Sequence, residues 1–323
     1  MINIMEKIDL LDKKIMYELD LDARISASQL GRKLRKSKET INFRINRLIN
    51  SGYLKGFYTI FNTSALGWFY VKFYFKFKNI TSSKEKQLYD HLSKQNHIAY
   101  LGSVEGKYDC IILIMVRSYA DLLGFQDAFM KKYGEFIQEK DTVTFLTTHR
   151  LNERFLFEGK EKKDWCYPMG LGNYILDKLD KDILNLISTN ARMSLIDIAK
   201  KVNTDPKVVN YHLRKLEKDK IILAYVSSPN FDNLGKSFFQ INISLKDPTQ
   251  RLAITDFFDN TNKCLYAIEL IGKYDLLVEL HLDNMAELKI VLDLFREKFV
   301  NIYNDYDVLT ISKEYVVVWS PFS

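Results

Sequence analysis

The sequence predicts an α+β fold written twice: two winged helix-turn-helix domains and two ferredoxin-like βαββαβ domains in tandem. Three observations predict it. The stretch "LDKKIMYELDLDARISASQLGRKL" at 11–34 aligns without a gap with "LDKDILNLISTNARMSLIDIAKKV" at 179–202, an offset of 168. The tetrapeptide "GKYD" stands at 106–109 and again at 272–275, an offset of 166. Within each copy the apolar period changes part-way from helical to alternating. The register holds in between, at Asn42/Asn210, Leu48/Leu216 and Leu66-Gly67/Leu234-Gly235. Self-similarity therefore runs through the chain, except for "NERFLFEGKEKKDWCYPMGLGN" at 152–173, which has no counterpart and reads as a linker.

The elements follow in order. Leu11, Ile15 and Leu19 fall on one helical face. Ser26 and Ser194 suit the start of a second helix, because a hydroxyl accepts the amides left free there. Ser37 and Asp205 suit the start of a third, and Pro206 fits its first turn. Ile41, Ile45 and Leu48, or Val209, Leu213 and Leu216, form its core face. Gly52 suits the end of the first copy and Lys220 replaces it in the second. A strand follows at 53–60 or 221–228, so three helices and a strand give a winged helix-turn-helix. "FYVKFYFKFK" at 69–78 puts Phe69, Val71, Phe73, Phe75 and Phe77 on one face. The other face carries Tyr70, Lys72, Tyr74, Lys76 and Lys78, which predicts a half-buried strand. A helix at 81–95, strands on either side of GKYD, a helix at 118–134 and a strand at 138–151 complete βαββαβ. GKYD is then the hairpin between the middle strands. Its glycine supplies a positive φ, and its aspartate accepts loop amides. The expected domains are 1–60 and 174–228 for the winged helices, 61–151 and 229–323 for the αβ units, and 152–173 for the linker.

Composition bounds the class. The chain has 323 residues, 47% hydrophobic and 27% charged, with 13 glycines and 5 prolines. This predicts two to four well-packed small domains. No run reaches the ~18 apolar residues of a membrane span, and the charged N-terminus lacks the apolar core of a secretion signal. A cytoplasmic location is expected. Cys110, Cys166 and Cys264 lie far apart, which argues against a zinc site or a disulfide framework. A net charge of +6 permits a nucleic-acid partner.

These helix-turn-helix stretches, followed by βαββαβ with a G-x-x-D hairpin in both halves, resemble the leucine-responsive/asparagine regulator (Lrp/AsnC) family. The resemblance covers nearly the whole chain, twice. It implies double-stranded DNA as partner, bound through the third helix, with αβ domains that pair and often assemble further into homo-oligomers. It also implies a small effector, commonly an amino acid, near the hairpin; Ser103, Gly106, Tyr108, Asp109, Gly272, Tyr274 and Asp275 are then the effector-binding candidates. Typical members carry one unit per chain. Two units here predict an intrachain pseudo-dimer, since about 20 linker residues reach roughly 65 Å when extended.

Opposite the core face of the third helix lie the expected DNA-binding residues. They are Lys38, Glu39, Thr40, Asn42, Phe43, Arg44 and Arg47 in the first copy, and Lys207, Asn210, Tyr211, His212, Arg214 and Lys215 in the second. Basic side chains there answer phosphates, whereas asparagine and arginine pair with adenine and guanine edges. Arg44 stands where the family usually has arginine; His212 replaces it in the second copy. Two alternatives stay open. One is a fused siroheme decarboxylase, an enzyme of the same two-domain plan, although no Arg-x-His pattern stands near either hairpin. The other is an assembly protein of this fold that no longer reads DNA. Walker, GxSxG and HExxH motifs are absent, so no enzyme, cofactor or metal is expected.

Overall fold

In the computed structural model, which describes residues 7–154, 156–157, 163–168 and 170–322, each half begins with three capped helices. Helix α1 (Leu10–Leu21) starts at Asp9, whose carboxylate accepts the Asp12 amide while the Asp12 carboxylate accepts the Asp9 amide. Ser26 caps α2 (Ala27–Leu34), and Ser37 caps α3 (Lys38–Asn50). Strand β1 (Leu54–Phe61) is the wing. An αβ unit follows: β2 (Phe69–Phe77), α4 (Ser82–Leu92), β3 (Ile98–Gly106), β4 (Cys110–Val116), α5 (Tyr119–Tyr133) and β5 (Ile137–Leu151). The connection carries a short strand, β6 (Asp164–Pro168). The second half repeats the order. It has α6 (Lys178–Ser188), α7 (Leu195–Lys201), α8 (Pro206–Lys218), β7 (Ile222–Pro229), β8 (Ser237–Leu245), α9 (Arg251–Asn260), β9 (Cys264–Gly272), β10 (Leu276–Leu282), α10 (Met285–Phe299) and β11 (Tyr303–Val317). Ser194, Asp205 and Pro206 take their expected places at the helix starts.

The two αβ units share one sheet. Its order is β2-β4-β3-β11-β8-β10-β9-β5-β6, and β5 also pairs with β2, so eight strands close on themselves. Closure depends on the two longest strands. β5 pairs with β2 through its first half and with β9 of the other unit through its second. β11 does the same with β8 and β3. A bulge lies in each crossing, at Phe145/Thr147 and at Ile311/Lys313, where an extra residue bends a strand away from one partner toward another.

This closure corrects the half-buried reading of the strand at 69–78. Phe69, Val71, Phe73, Phe75 and Phe77 do pack under α4 and α5. The opposite face is also covered, because the second unit's strands lie across it. Tyr70 and Tyr74 join Tyr108, Leu270, Tyr274 and Leu277 in a core drawn from both units, and Lys72 is only 3% exposed. Lysine at alternate positions signals solvent only when a sheet has one wet face.

The wings pair with each other. β1 and β7 form a two-stranded antiparallel ribbon in which Tyr58 faces Val226, its own counterpart in the repeat, so a pseudo-twofold axis passes between them. Reciprocal bonds surround it. The Ala23 amide donates to Tyr225 O at 2.8 Å, and the Ala191 amide to Phe57 O at 3.0 Å. Arg24 donates to Ala191 O, and Arg192 to Ala23 O and Ile25 O. The stretch expected to be a linker is packed over part of its length. Asn152, Glu153, Arg154 and Leu156 are buried, and β6 lies along the end of β5. Among the described residues no helix is long and apolar enough to cross a membrane.

Candidate nucleic-acid interface and central cavity

Helices α3 and α8 each bury one face and present the other. Ile41, Ile45 and Leu48 are buried in the first, and Val209, Leu213 and Leu216 in the second. Outward stand Lys38, Glu39, Asn42, Phe43 and Asn46, and on α8 Lys207, Val208, Tyr211 and Arg214. Phe43 and Tyr211 occupy equivalent positions and are each 65% exposed. Most of each aromatic side chain is left in water, although the Tyr211 ring also meets the His212 ring edge-on. Thr40 and Asn210 are half-buried at the edges. Arg32, Arg35 and Lys36 stand exposed just before α3.

The arginines are differently placed. Arg44 donates to Asp9 at 2.6 Å and to Asp12 at 3.2 Å, and Arg47 also donates to Asp12. Asp12 is fully buried, so these guanidiniums neutralise a carboxylate at the start of α1 and tie α1 to α3. Burial works to raise the Asp9 carboxyl, but the Asp12 amide and Arg44 outweigh it and hold it at about 2. The second copy repeats the device with weaker groups. His212 lies 2.7 Å from Asp180, and Lys215 3.7 Å from it. Among the described residues Asp177, Asp180 and His212 are the one set whose ligand atoms could meet around a metal. The match with Asp9, Asp12 and Arg44, and the Lys215 ammonium beside it, make it an ion-pair cluster. A sequence signal for this pairing existed: Asp12 and Asp180 recur in register, each three residues after the helix-capping Asp9 or Asp177.

The glycines and tyrosines of both GKYD copies, with Lys107, are engaged where the two units meet. Gly106 and Gly272 have φ of 129° and 128°. A Cβ on Gly106 would stand 2.6 Å from Val308 O of β11, and one on Gly272 2.4 Å from Thr142 O of β5. Lys107 reaches Asp307 at 3.1 Å. Tyr108 and Tyr274 meet hydroxyl to hydroxyl at 2.8 Å, and each donates to a carboxylate, Asp141 or Asp307, at 2.5 Å. Burial, reinforced by those carboxylates, pushes both phenols well up. Asp109 accepts the Phe77 amide and Lys76, and Asp275 accepts the Leu245 amide and Arg251. Ser103 sits half-buried in β3. Ser103, Gly106, Tyr108, Gly272 and Tyr274 thus lie along the seam between units, whereas Asp109 and Asp275 bind groups of their own unit.

A cavity lies elsewhere, between the β1–β7 ribbon and the closed sheet, with a volume of about 400 Å³. Tyr58, Tyr70, Tyr100, Phe145, Tyr266 and Trp319 wall it, and Lys72, Glu153, Glu279, His281 and Glu314 bring ionisable groups to it. Lys72 donates to Gln240 at 2.8 Å and stands 3.9 Å from Glu279. Burial lowers Lys72 to about 8, with Glu279 opposing, and raises Glu279 to about 7 against the pull of Lys72. His281 is stacked on Phe231 at 3.7 Å, and burial drops it to about 3. The alternating pattern of 69–78 concealed this site, because it assigned Lys72 to solvent.

Comparison with known proteins agrees with this architecture. The winged helix-turn-helix DNA-binding family matches residues 8–55 and 176–222. An uncharacterised HTH-type transcriptional regulator of Pyrococcus horikoshii is 27% identical over 142 residues, 44% of this chain and 87% of that protein. The HTH-type transcriptional regulator FL11 of the same organism is 27% identical over 143 residues, 44% and 92%. Among solved structures, the siroheme decarboxylase NirDL shares the fold across both units, with a TM-score of 0.65, 10% identity, and 96% and 95% of the two chains covered. E. coli AsnC is 20% identical over 43% of this chain and 94% of its own, with a TM-score of 0.39. With a winged helix-turn-helix matched at two places and regulator relatives that each span nearly one unit, the chain carries two winged helix-turn-helix units in one polypeptide and is similar to one-unit HTH-type transcriptional regulators.

Proposed function

We propose that the chain is a sequence-specific DNA-binding transcription regulator that reads two unlike half-sites and responds to a small metabolite. One observation carries the reading. The third helices of both units hold an exposed, aromatic-tipped, partly basic face, and reciprocal bonds across the ribbon fix one unit against the other. A pseudo-twofold pair of recognition helices calls for paired half-sites. The faces differ in chemistry: Glu39 stands where the second copy has Lys207, and Asn46 where it has Arg214. The operator is therefore an imperfect palindrome. With Arg44 and Arg47 held by Asp12, the base-reading groups of the first unit are Asn42, Asn46 and Phe43, and Lys38 answers phosphate.

Selection of bound duplexes from a random library by the full chain tests this. Asn42→Ala and Phe43→Ala are expected to relax one half-site, and Tyr211→Ala and Arg214→Ala the other, each at about 1–3 kcal/mol. Lys38→Ala weakens all sequences alike and flattens the salt dependence by about one phosphate contact. Failure to enrich any sequence, or loss of the same half-site from both sets, would falsify the reading and favour an assembly protein.

The fold shared with a siroheme decarboxylase supports a second reading, in which the chain acts on an iron tetrapyrrole. The cavity speaks against it. Tetrapyrroles of the uroporphyrin type are polycarboxylates, and the cavity sets three carboxyl groups, Glu153, Glu279 and Glu314, against two ammonium groups, Lys55 and Lys72. Its histidine, His281, is stacked and held neutral. Titration with iron-uroporphyrin III is expected to leave the tetrapyrrole absorption band unshifted; a saturable shift would restore the enzyme reading.

A further inference from the structure

The two halves of the central cavity are not copies of each other. The repeat places Glu279 where the first unit has Leu113, Glu314 where it has Thr148, and His281 where it has Met115. Lys72 stands opposite Gln240. In a dimer of identical chains each of these changes would appear twice about the axis. Fusion of two units let them appear once, and they have gathered into one cavity.

Their placement is costly. Removing a carboxylate from water costs several kcal/mol, and apolar side chains of similar size are often neutral or better in its place. Leu113 shows that this fold accepts an apolar residue at the position of Glu279. Each carboxylate meets its one cation only at the long edge of ion-pair distance. Lys72 gives its short bond to Gln240 and stays 3.9 Å from Glu279. Lys55, half exposed, stays 3.8 Å from Glu314. Glu153 leaves one oxygen without a hydrogen-bond partner, as does the buried Ser227 hydroxyl, among the described residues. Burial raises Glu279 and Glu314, as expected of carboxylates that lack full compensation. The walls suit a cation, because aromatic faces attract positive charge. One already lies there: the Lys72 ammonium is 5.9 Å from the ring centres of Tyr100 and Phe145.

We propose that this cavity binds a small organic ammonium ion, its head between Glu279 and Glu314 and its aromatic or aliphatic body against Tyr58, Tyr100 and Phe145. About 400 Å³ accommodates a molecule of that size. The ribbon that joins the two helix-turn-helix units forms one wall of the site, so an occupant bears on their relative placement. That regulatory consequence rests on the DNA-binding reading; the binding itself does not.

The experiment is calorimetric titration of the full chain, without DNA, with three probes sharing one ring: tyramine, 3-(4-hydroxyphenyl)propionate and 4-ethylphenol. Tyramine is expected to saturate, and to bind at least ~10-fold tighter than either of the others. Glu279→Gln and Glu314→Gln are each expected to weaken it by ~10-fold or more, with cooperative unfolding retained. Glu105→Gln, on the outer end of β3, is expected to leave it unchanged. If Glu279→Gln does not fold, Glu314→Gln decides alone. Absence of tyramine binding, equal binding by a folded Glu279→Gln or Glu314→Gln variant, or preference for the propionate would each overturn the proposal. DNA affinity is measured separately, with and without tyramine, so failure of the regulator reading and failure of the site are told apart.

Discussion

Gly106 and Gly272 illustrate what a single residue contributes here. The sequence marks them as turn glycines, and their positive φ agrees. Their sharper constraint comes from the other unit, whose backbone carbonyls, Val308 O and Thr142 O, lie where a side chain would start. A methyl group at either position must displace a strand of the neighbouring unit, and neither strand is a flexible side-chain end. Gly106→Ala and Gly272→Ala are each expected to destabilise the chain by about 2–4 kcal/mol in urea unfolding, combining backbone strain with the clash. A loss below about 0.5 kcal/mol would show that the seam yields. The repetition of GKYD was legible in the sequence, and so were its turn glycine and its amide-accepting aspartate. Its role at the seam was not, because the carbonyls that crowd Gly106 come from a strand about 200 positions away.

At the scale of elements, legibility follows whether a signal is local. Caps are local, so Ser26, Ser37, Ser194 and Asp205 each stand at their expected helix starts. The core faces of α3 and α8 were equally readable from their period. The second burial of β2 depends on sheet closure and could not be read from alternation. β6 was missed because "DWCYP" follows a charge run and gains its partners only from the end of β5. Arg47 was read as outward-facing, since spacing alone does not show that Asp12 draws it back. One local departure gives a prediction. After α3 the chain turns through Gly52 at φ 72°, and after α8 through Lys220 at φ 57°. A left-handed conformation strains any residue with a Cβ. Lys220→Gly is therefore expected to stabilise the second winged helix by about 0.5–1 kcal/mol, read as a raised urea midpoint with unchanged slope. An unchanged or lowered midpoint would mean that the lysine side chain offsets the strain.

For the whole molecule, the closed sheet makes stability depend on pH through buried groups of both units. Lys72 and Glu279 are one pair among them, while His281, lowered to about 3, opposes Glu279 below pH 6.5 and Glu314, also raised, acts in the same direction as Glu279. Burial, more than any neighbour, raises Glu279 to about 7 in the folded chain, against an ordinary value near 4.5. Between those values the folded state keeps a proton that the unfolded state has released, so stability falls as pH rises from about 4.5 to 7. Burial lowers Lys72 to about 8, against an ordinary 10.5. Between 8 and 10.5 the unfolded state holds the extra proton, so stability climbs again as pH rises. The pair should therefore leave a trough between about pH 7 and 8, with each limb on the order of 3 kcal/mol. Glu279→Gln removes the Glu279 share of the falling limb, read as the difference between the variant and parent profiles, and leaves that of Glu314. It also leaves Lys72 without its partner charge, which lowers that lysine further and moves the start of the rising limb below pH 8. Urea unfolding from pH 4 to 10 measures both effects. A Glu279→Gln profile parallel to the parent chain between pH 4.5 and 7 would mean that Glu279 is solvated in the folded state. The two units would then leave between them an open, wet cleft instead of the low-dielectric chamber from which the raised carboxylate and lowered ammonium both follow.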